Sequence, residues 1–274
     1  MRIARSFVAL FAVACGGSPP VTGTLSHGLD GKPIGGQRVL AKAADKSGDL
    51  TCQVREATTT PDGAFTLEDL CGDVEYTVSL GDKELRLADA GAVKGGAPAT
   101  LSLTAWRAPT GEGVYRLEGE KLTPIKVFAD VKSGTLASGA AVRYPALKPT
   151  KLPAVAAGQK ILLVSKKSAD ALQIVPLVGD PATRTFGDGS TIQDHVWIGA
   201  RFVDDATLEP VAATVDAAKV KDGAAEGAFF RYVDADAVPP GDYAILGPED
   251  KRTWAVSFGA APAGGGEAPP AAAP

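Results

Sequence analysis

The sequence predicts an all-β protein: a seven-stranded N-terminal sandwich followed by a second, mostly β domain. Three observations predict it. Apolar and polar residues alternate with a period of two, as where Val74, Tyr76, Val78 and Leu80 interleave with Glu75, Thr77 and Ser79. Apolar stretches are short, and turn signals recur about every 8–12 residues. Gly and Pro are abundant, at 32 and 20 of 274 residues, and supply those turns.

The first residues read as an export signal rather than as fold. Arg2 and Arg5 form a basic head, Phe7 to Ala14 is an apolar run, and Cys15-Gly16-Gly17-Ser18 follows. A basic head, a short apolar middle and small residues at the cut describe a secretory signal over residues 1–14. The run is too short for a spanning helix, which needs about 20 residues. Ala14-Cys15 resembles the bacterial lipoprotein pattern, in which a small residue precedes a cysteine whose thiol takes a diacylglycerol. Ala12 stands where that pattern usually has Leu. The alternative is an ordinary signal cut at the same bond without lipid. Cysteine arithmetic favours lipid: there are three Cys, and pairing Cys52 with Cys71 would leave Cys15 an odd thiol in an oxidising compartment. Residues 15–19 would then form a lipidated tether, and the membrane would be a partner through two acyl chains, which anchor stably. Gly16 follows the lipid site. In lipoproteins of this pattern an Asp at that position retains the protein at the inner membrane, so Gly16 in its place implies the cell envelope, on the outer membrane, as the expected location.

Removing residues 1–14 from 274 leaves 260 residues and removes Arg2 and Arg5, taking the formal charge from −4 to −6. A mildly acidic chain with no basic run longer than Lys166-Lys167 argues against nucleic acid as a partner. The length favours two domains.

The first domain is expected over residues 20–106. Its strands are Val21 to Leu25, Gln37 to Ala43, Leu50 to Thr60, Ala64 to Leu67, Val74 to Leu80, Glu84 to Leu87 and Thr100 to Trp106. In the third, Cys52, Val54 and Glu56 would share a face. Pro61-Asp62-Gly63 is a turn, because Pro presets φ and Gly accepts a positive one. Half-buried strands need a facing layer, and a second sheet supplies it. Cys52 and Cys71 are read as a disulfide worth about 3 kcal/mol through the unfolded state. The rival reading is a metal pair, but no His or further Cys lies at metal spacing.

These residues resemble a family. Val21-x-Gly23-Thr24-Leu25, Gly31-Lys32-Pro33-Ile34-Gly35-Gly36-Gln37-Arg38-Val39, Thr58 to Leu67 and Tyr76-Thr77-Val78 are similar to the carboxypeptidase regulatory-like domain, a transthyretin-like sandwich. Gln37-Arg38 replaces the common Gly/Ala pair. The resemblance implies the fold and a spacer, stalk or accessory role.

The second domain is expected over residues 111–258. Its candidate strands are Val114 to Glu118, Leu122 to Ala129, Lys160 to Ser165, Ala171 to Val178, Val196 to Val203, Leu208 to Val215, Ala228 to Val233, Asp242 to Leu246 and Thr253 to Phe258. One short helix near Asp216–Asp222 would end at Gly223. The segments around Gly113 and Gly241 resemble uncharacterised modules of exported bacterial proteins. Residues 259–274 hold only Ala, Pro and Gly with one Glu and are expected to be disordered.

The search for chemistry gives no catalytic residue, no metal ligand set and no cofactor. His27 and His195 are the only histidines. Ser190 lies near His195 in sequence, but no Gly-x-Ser-x-Gly elbow is present. Asp188, Asp194, Asp204, Asp205, Asp234 and Asp236 do not follow the calcium-loop pattern and read as solvated turn carboxylates. No glycine-rich loop with a following Lys supports nucleotide binding. Trp106, Trp197 and Trp254 lie in strand-like runs and are expected in cores or between domains, the rival being sugar stacking at a surface. The resulting expectation is an envelope-anchored lipoprotein with a scaffold, adhesion or binding role, its partner an envelope protein or polysaccharide. Two alternatives stand beside it. Carbohydrate or peptidoglycan binding requires at least two exposed aromatics on one patch, and an enzyme with an unfamiliar site requires a deep pocket with convergent polar groups.

Overall fold

A computed structural model describes residues 18–45, 49–109, 111–128, 131–145, 151–204, 207–247 and 252–259. The signal segment 1–14, Cys15, Asp205 and the tail beyond Gly259 lie outside the described residues. The described chain is all-β, with four single-turn 3-10 segments and no α-helix, and it falls into two compact units divided between Ala105 and Trp106.

The described residues of the first unit form eight strands: Val21–His27 (β1), Arg38–Ala43 (β2), Val54–Thr58 (β3), Ala64–Leu67 (β4), Glu75–Leu80 (β5), Leu85–Leu87 (β6), Gly91–Lys94 (β7) and Ala99–Arg107 (β8), the last running across the division. They make two four-stranded sheets, ordered β4-β1-β8-β6 and β3-β2-β5-β7. Alternation decides which side chains meet. β1 buries Val21 and Leu25 and exposes Thr22 and Thr24, and β5 buries Tyr76 and Val78. Leu25, Leu67 and Leu103 from one sheet join Val39, Tyr76 and Val93 from the other in a single buried cluster, as face-to-face sheets do.

Two expectations change here. The spacing predicts seven strands, but β7 is an eighth, paired antiparallel with β5 from Glu75↔Lys94 to Val78↔Gly91. Its four residues carry one large apolar side chain, Val93, too little alternation to register as a strand. The third predicted strand begins late. Leu50–Cys52 is a 3-10 turn held by Asp49, whose carboxylate accepts from the Thr51 N–H at 2.9 Å, so Cys52 does not share a strand face with Val54 and Glu56. A short side-chain acceptor competing with the sheet ladder is the physical reason.

The described residues of the second unit form sixteen strands: Gly113–Glu118 (β9), Lys121–Pro124 (β10), Val131–Thr135 (β11), Ala141–Pro145 (β12), Ala154–Val155 (β13), Lys160–Ser165 (β14), Gln173–Asp180 (β15), Arg184–Thr185 (β16), Thr191–Ile192 (β17), His195–Ile198 (β18), Ala200–Phe202 (β19), Leu208–Pro210 (β20), Val220–Ala225 (β21), Ala228–Asp234 (β22), Gly241–Leu246 (β23) and Thr253–Phe258 (β24). Two five-stranded sheets, β10-β9-β14-β22-β21 and β13-β24-β23-β15-β18, enclose a core that includes Ile161, Leu163 and Val233 from one and Ile245, Trp254 and Phe258 from the other. The unbroken apolar run Ile161–Val164 is the sequence of a central strand, buried on both faces. Three two-stranded ribbons, β11-β12, β16-β17 and β19-β20, complete the unit. Leu136, Val142, Phe186 and Trp197 form a separate buried cluster.

Several predicted strands of this unit are shorter than expected. β10 stops at Pro124 and β20 at Pro210, because proline has no N–H for a ladder. The run Val196 to Val203 is split at Gly199 into β18 and β19. The helix expected near Asp216–Asp222 is absent. Asp216 does cap a turn, accepting from the Ala218 N–H at 3.1 Å, but the turn spans only Ala217–Lys219 and Gly223 lies inside β21. β21 and β22 are joined by the two residues Glu226 and Gly227, with φ of 49° and 76°. That paired positive φ is the mirror-image turn matched to strand twist. Gly223 is needed because Trp106 lies against it: a Cβ there would stand 2.6 Å from the indole ring. Trp106, expected to close the first domain, thus packs within the second unit, stacked on Tyr232 with ring centroids 6.0 Å apart.

Candidate functional site

A cleft of about 610 Å³ opens where the two five-stranded sheets of the second unit meet. It is an extension of the core to the surface. Leu172 and Val233 are buried in its wall, and Ile174, Ala213 and Val220 pack against the same core cluster. Val215, an exposed valine in the irregular stretch after β20, makes its lip.

One charged cluster sits at this cleft. Asp222 on β21 faces Arg231 on β22 in register. The Arg231 Nε donates to Asp222 Oδ1 at 2.8 Å and its Nη2 to Oδ2 at 2.9 Å, a bidentate pair. The same Nη2 donates to Asp170 Oδ1 at 2.7 Å, Asp170 lying on the 3-10 turn before β15. Hydrogen bonding to Arg231 holds the Asp222 carboxyl below its usual range, and hydrogen bonding to Asp222 raises Arg231 against its partial desolvation. Two carboxylates against one guanidinium leave one net negative charge.

A second cavity, about 600 Å³, is lined by small residues and prolines, among them Ala235, Ala237, Pro239 and Pro240, with Asp216 and Asp236. A third, about 480 Å³, lies beside Cys52 and Cys71 in the first unit.

The residues singled out in the sequence fall as follows. Cys52 and Cys71 form a disulfide, 19 residues apart. Cys15 lies outside the described residues. His27 ends β1 and His195 begins β18. The His195 ring packs edge-on against Tyr144, and its Nδ1 lies 2.6 Å from the Gln193 carbonyl oxygen. Ser190 is a turn residue whose hydroxyl donates to Asp188 Oδ1 at 2.6 Å. Asp234 pairs with Lys160 and Asp236 with Lys219, while Asp204 accepts from the Thr207 N–H. Among the described residues no three His, Cys, Asp or Glu side chains gather as metal ligands would. Trp106, Trp197 and Trp254 are buried, at 7, 1 and 3% exposure.

Sequence reasoning missed the Asp170–Arg231–Asp222 cluster. Part of it was findable: Asp222 and Arg231 stand equally far from the Glu226-Gly227 turn, so recognising the hairpin would have placed them opposite one another. Nothing local relates Asp170 to Arg231, 61 residues away.

No known protein family matches the chain, and no curated protein matches it. Solved structures similar to it at low level include two bacterial proteins. One is a candidate carbohydrate-binding protein from Bacteroides uniformis, 10% identical, covering 88% of this chain and 96% of its own, with a TM-score of 0.24. The other is the major pilin subunit of Bacillus cereus, 12% identical, covering 88% of this chain and 69% of its own, with a TM-score of 0.29. Superpositions this loose carry no argument about function.

Proposed function

We propose that this is an exported, lipid-anchored protein of the bacterial cell envelope with a non-catalytic role, its first unit a stalk or scaffold and its second a binding module. The observation that carries the proposal is the arrangement of the three cysteines. Cys52 and Cys71 are joined, which fits an oxidising compartment, and the remaining Cys15 follows directly on the basic and apolar export signal. The two packed four-stranded sheets of the first unit suit the resemblance to the carboxypeptidase regulatory-like domain. The cleft of the second unit, about 610 Å³ and walled by apolar residues such as Leu172, Val220 and Val233, suits a binding module. The partner would be an envelope protein or a polysaccharide. Sugar stacking has less support: every described Trp, Tyr and Phe is buried or half-buried.

Metabolic labelling with a palmitate analogue in the native host tests the anchor. The mature chain is expected to begin at an acylated Cys15 by intact mass and to fractionate with membranes, and Cys15→Ser is expected to abolish both. A bare thiol at Cys15 in soluble cytosolic protein would overturn the proposal.

A further inference from the structure

We infer that the cleft between the two five-stranded sheets takes an extended peptide with branched aliphatic side chains and a basic residue, added along the open side of β15. The inference rests on the reading of the second unit as a binding module and names the chemistry of its partner.

The open side follows from the register. Residues Gln173–Pro176 of β15 pair with β23, whereas Leu177–Asp180 pair with β18. Pro176 faces Tyr243 of β23, yet its carbonyl accepts from the Gly199 N–H at 2.9 Å. β23 and the chain leaving β18 therefore lie on opposite sides of β15. Antiparallel alternation turns the main-chain groups of Ile174 the same way as those of Pro176, away from β23. Among the described residues no strand pairs with Ile174 on that side, and Gln173, Ile174 and Val175 all line the cleft. An added strand would satisfy these main-chain groups, and its alternate side chains would reach the apolar wall of Leu172, Val215, Val220 and Val233.

Charge selects among peptides. The Arg231 donors aimed into the cluster are already engaged, so they offer little to an incoming carboxylate. The Asp170 side chain is 88% exposed and, with Asp222, leaves the net negative charge that a Lys or Arg of the peptide would meet.

Fluorescence anisotropy on the full chain tests this with three labelled, end-capped hexapeptides whose first, third and fifth residues share the face toward the cleft: Val-Ser-Val-Ser-Lys-Ser (the Val-Lys peptide), Val-Ser-Val-Ser-Glu-Ser (the Val-Glu peptide) and Ser-Ser-Ser-Ser-Lys-Ser (the Ser-Lys peptide). The Val-Lys peptide is expected to bind at least about ten-fold more tightly than the Ser-Lys peptide, from lost apolar burial. It is expected to bind about five-fold more tightly than the Val-Glu peptide, from one partly screened charge. Asp170→Lys, a change at an exposed carboxylate that leaves the cross-strand pair in place, is expected to remove or reverse the charge preference. Val215→Asp is expected to weaken binding of the Val-Lys peptide. No binding of the Val-Lys peptide, equal binding of the Val-Lys and Val-Glu peptides, or a preference unchanged by Asp170→Lys would each overturn the inference. Such a result with the chain still in the membrane fraction sinks the cleft assignment alone, whereas cytosolic protein sinks the anchor proposal whatever the peptides do.

Discussion

Asp180 shows how a single carboxylate is stabilised in this chain. Its side chain and that of Arg184 are each only 10% exposed, with Arg184 Nε 2.9 Å from Asp180 Oδ2. The same oxygen accepts from Trp197 Nε1 at 2.9 Å, Oδ1 accepts from the Ala182 N–H at 3.0 Å, and the Arg184 guanidinium lies 3.9 Å above the Phe202 ring. Burial alone would push this carboxyl up, but the Arg184 and Trp197 donors and the Ala182 amide outweigh it and hold it below the usual 3.8. A carboxyl depressed in the folded state contributes stability that is full above its unfolded pKa and is lost as pH falls through its folded one. Asp180→Asn is therefore expected to cost about 3 kcal/mol at neutral pH and to flatten the loss of stability on acidification below 3.8. Urea titrations at a series of pH values check both, and parallel acid profiles for the two proteins would contradict the assignment. None of this network was legible beforehand. The sequence marked Trp197 as a core residue, which it is, but gave no reason to bring Asp180 to its indole nitrogen.

At the scale of elements, the strands whose alternation is long and clean were readable and the short or interrupted ones were not. β14 and β24 have the bounds expected of them, because a run of large apolar residues between turn signals identifies itself. β21 was misread because Asp216 is a genuine cap signal and Gly223 resembles a helix stop. What decides is tertiary: β21 pairs along its whole length with β22, and Gly223 leaves room for the Trp106 ring. Gly223→Ala is accordingly expected to destabilise the second unit by about 2 kcal/mol through overpacking. Denaturant titration followed by tryptophan fluorescence measures it, and an unchanged midpoint would remove Trp106 from that position.

For the whole molecule, each unit closes its own core. Domains with separate cores unfold separately unless coupled, so calorimetry is expected to resolve two transitions. Reducing Cys52–Cys71 is expected to lower only one of them, by roughly 10–20 °C, the size expected for losing about 3 kcal/mol in a unit of this length. One transition that moves as a whole on reduction would show that the units do not unfold independently.

By itself the sequence determined the all-β class, the alternating faces of the longer strands and the pairing of Cys52 with Cys71, because these depend on period, turn residues and the number of cysteines. Only the tertiary structure decided which strand edges stay open, where Trp106 packs, and that Asp170 meets Arg231 across 61 residues. Long-range register is a property of how sheets pack on one another, and no local pattern of side chains encodes it.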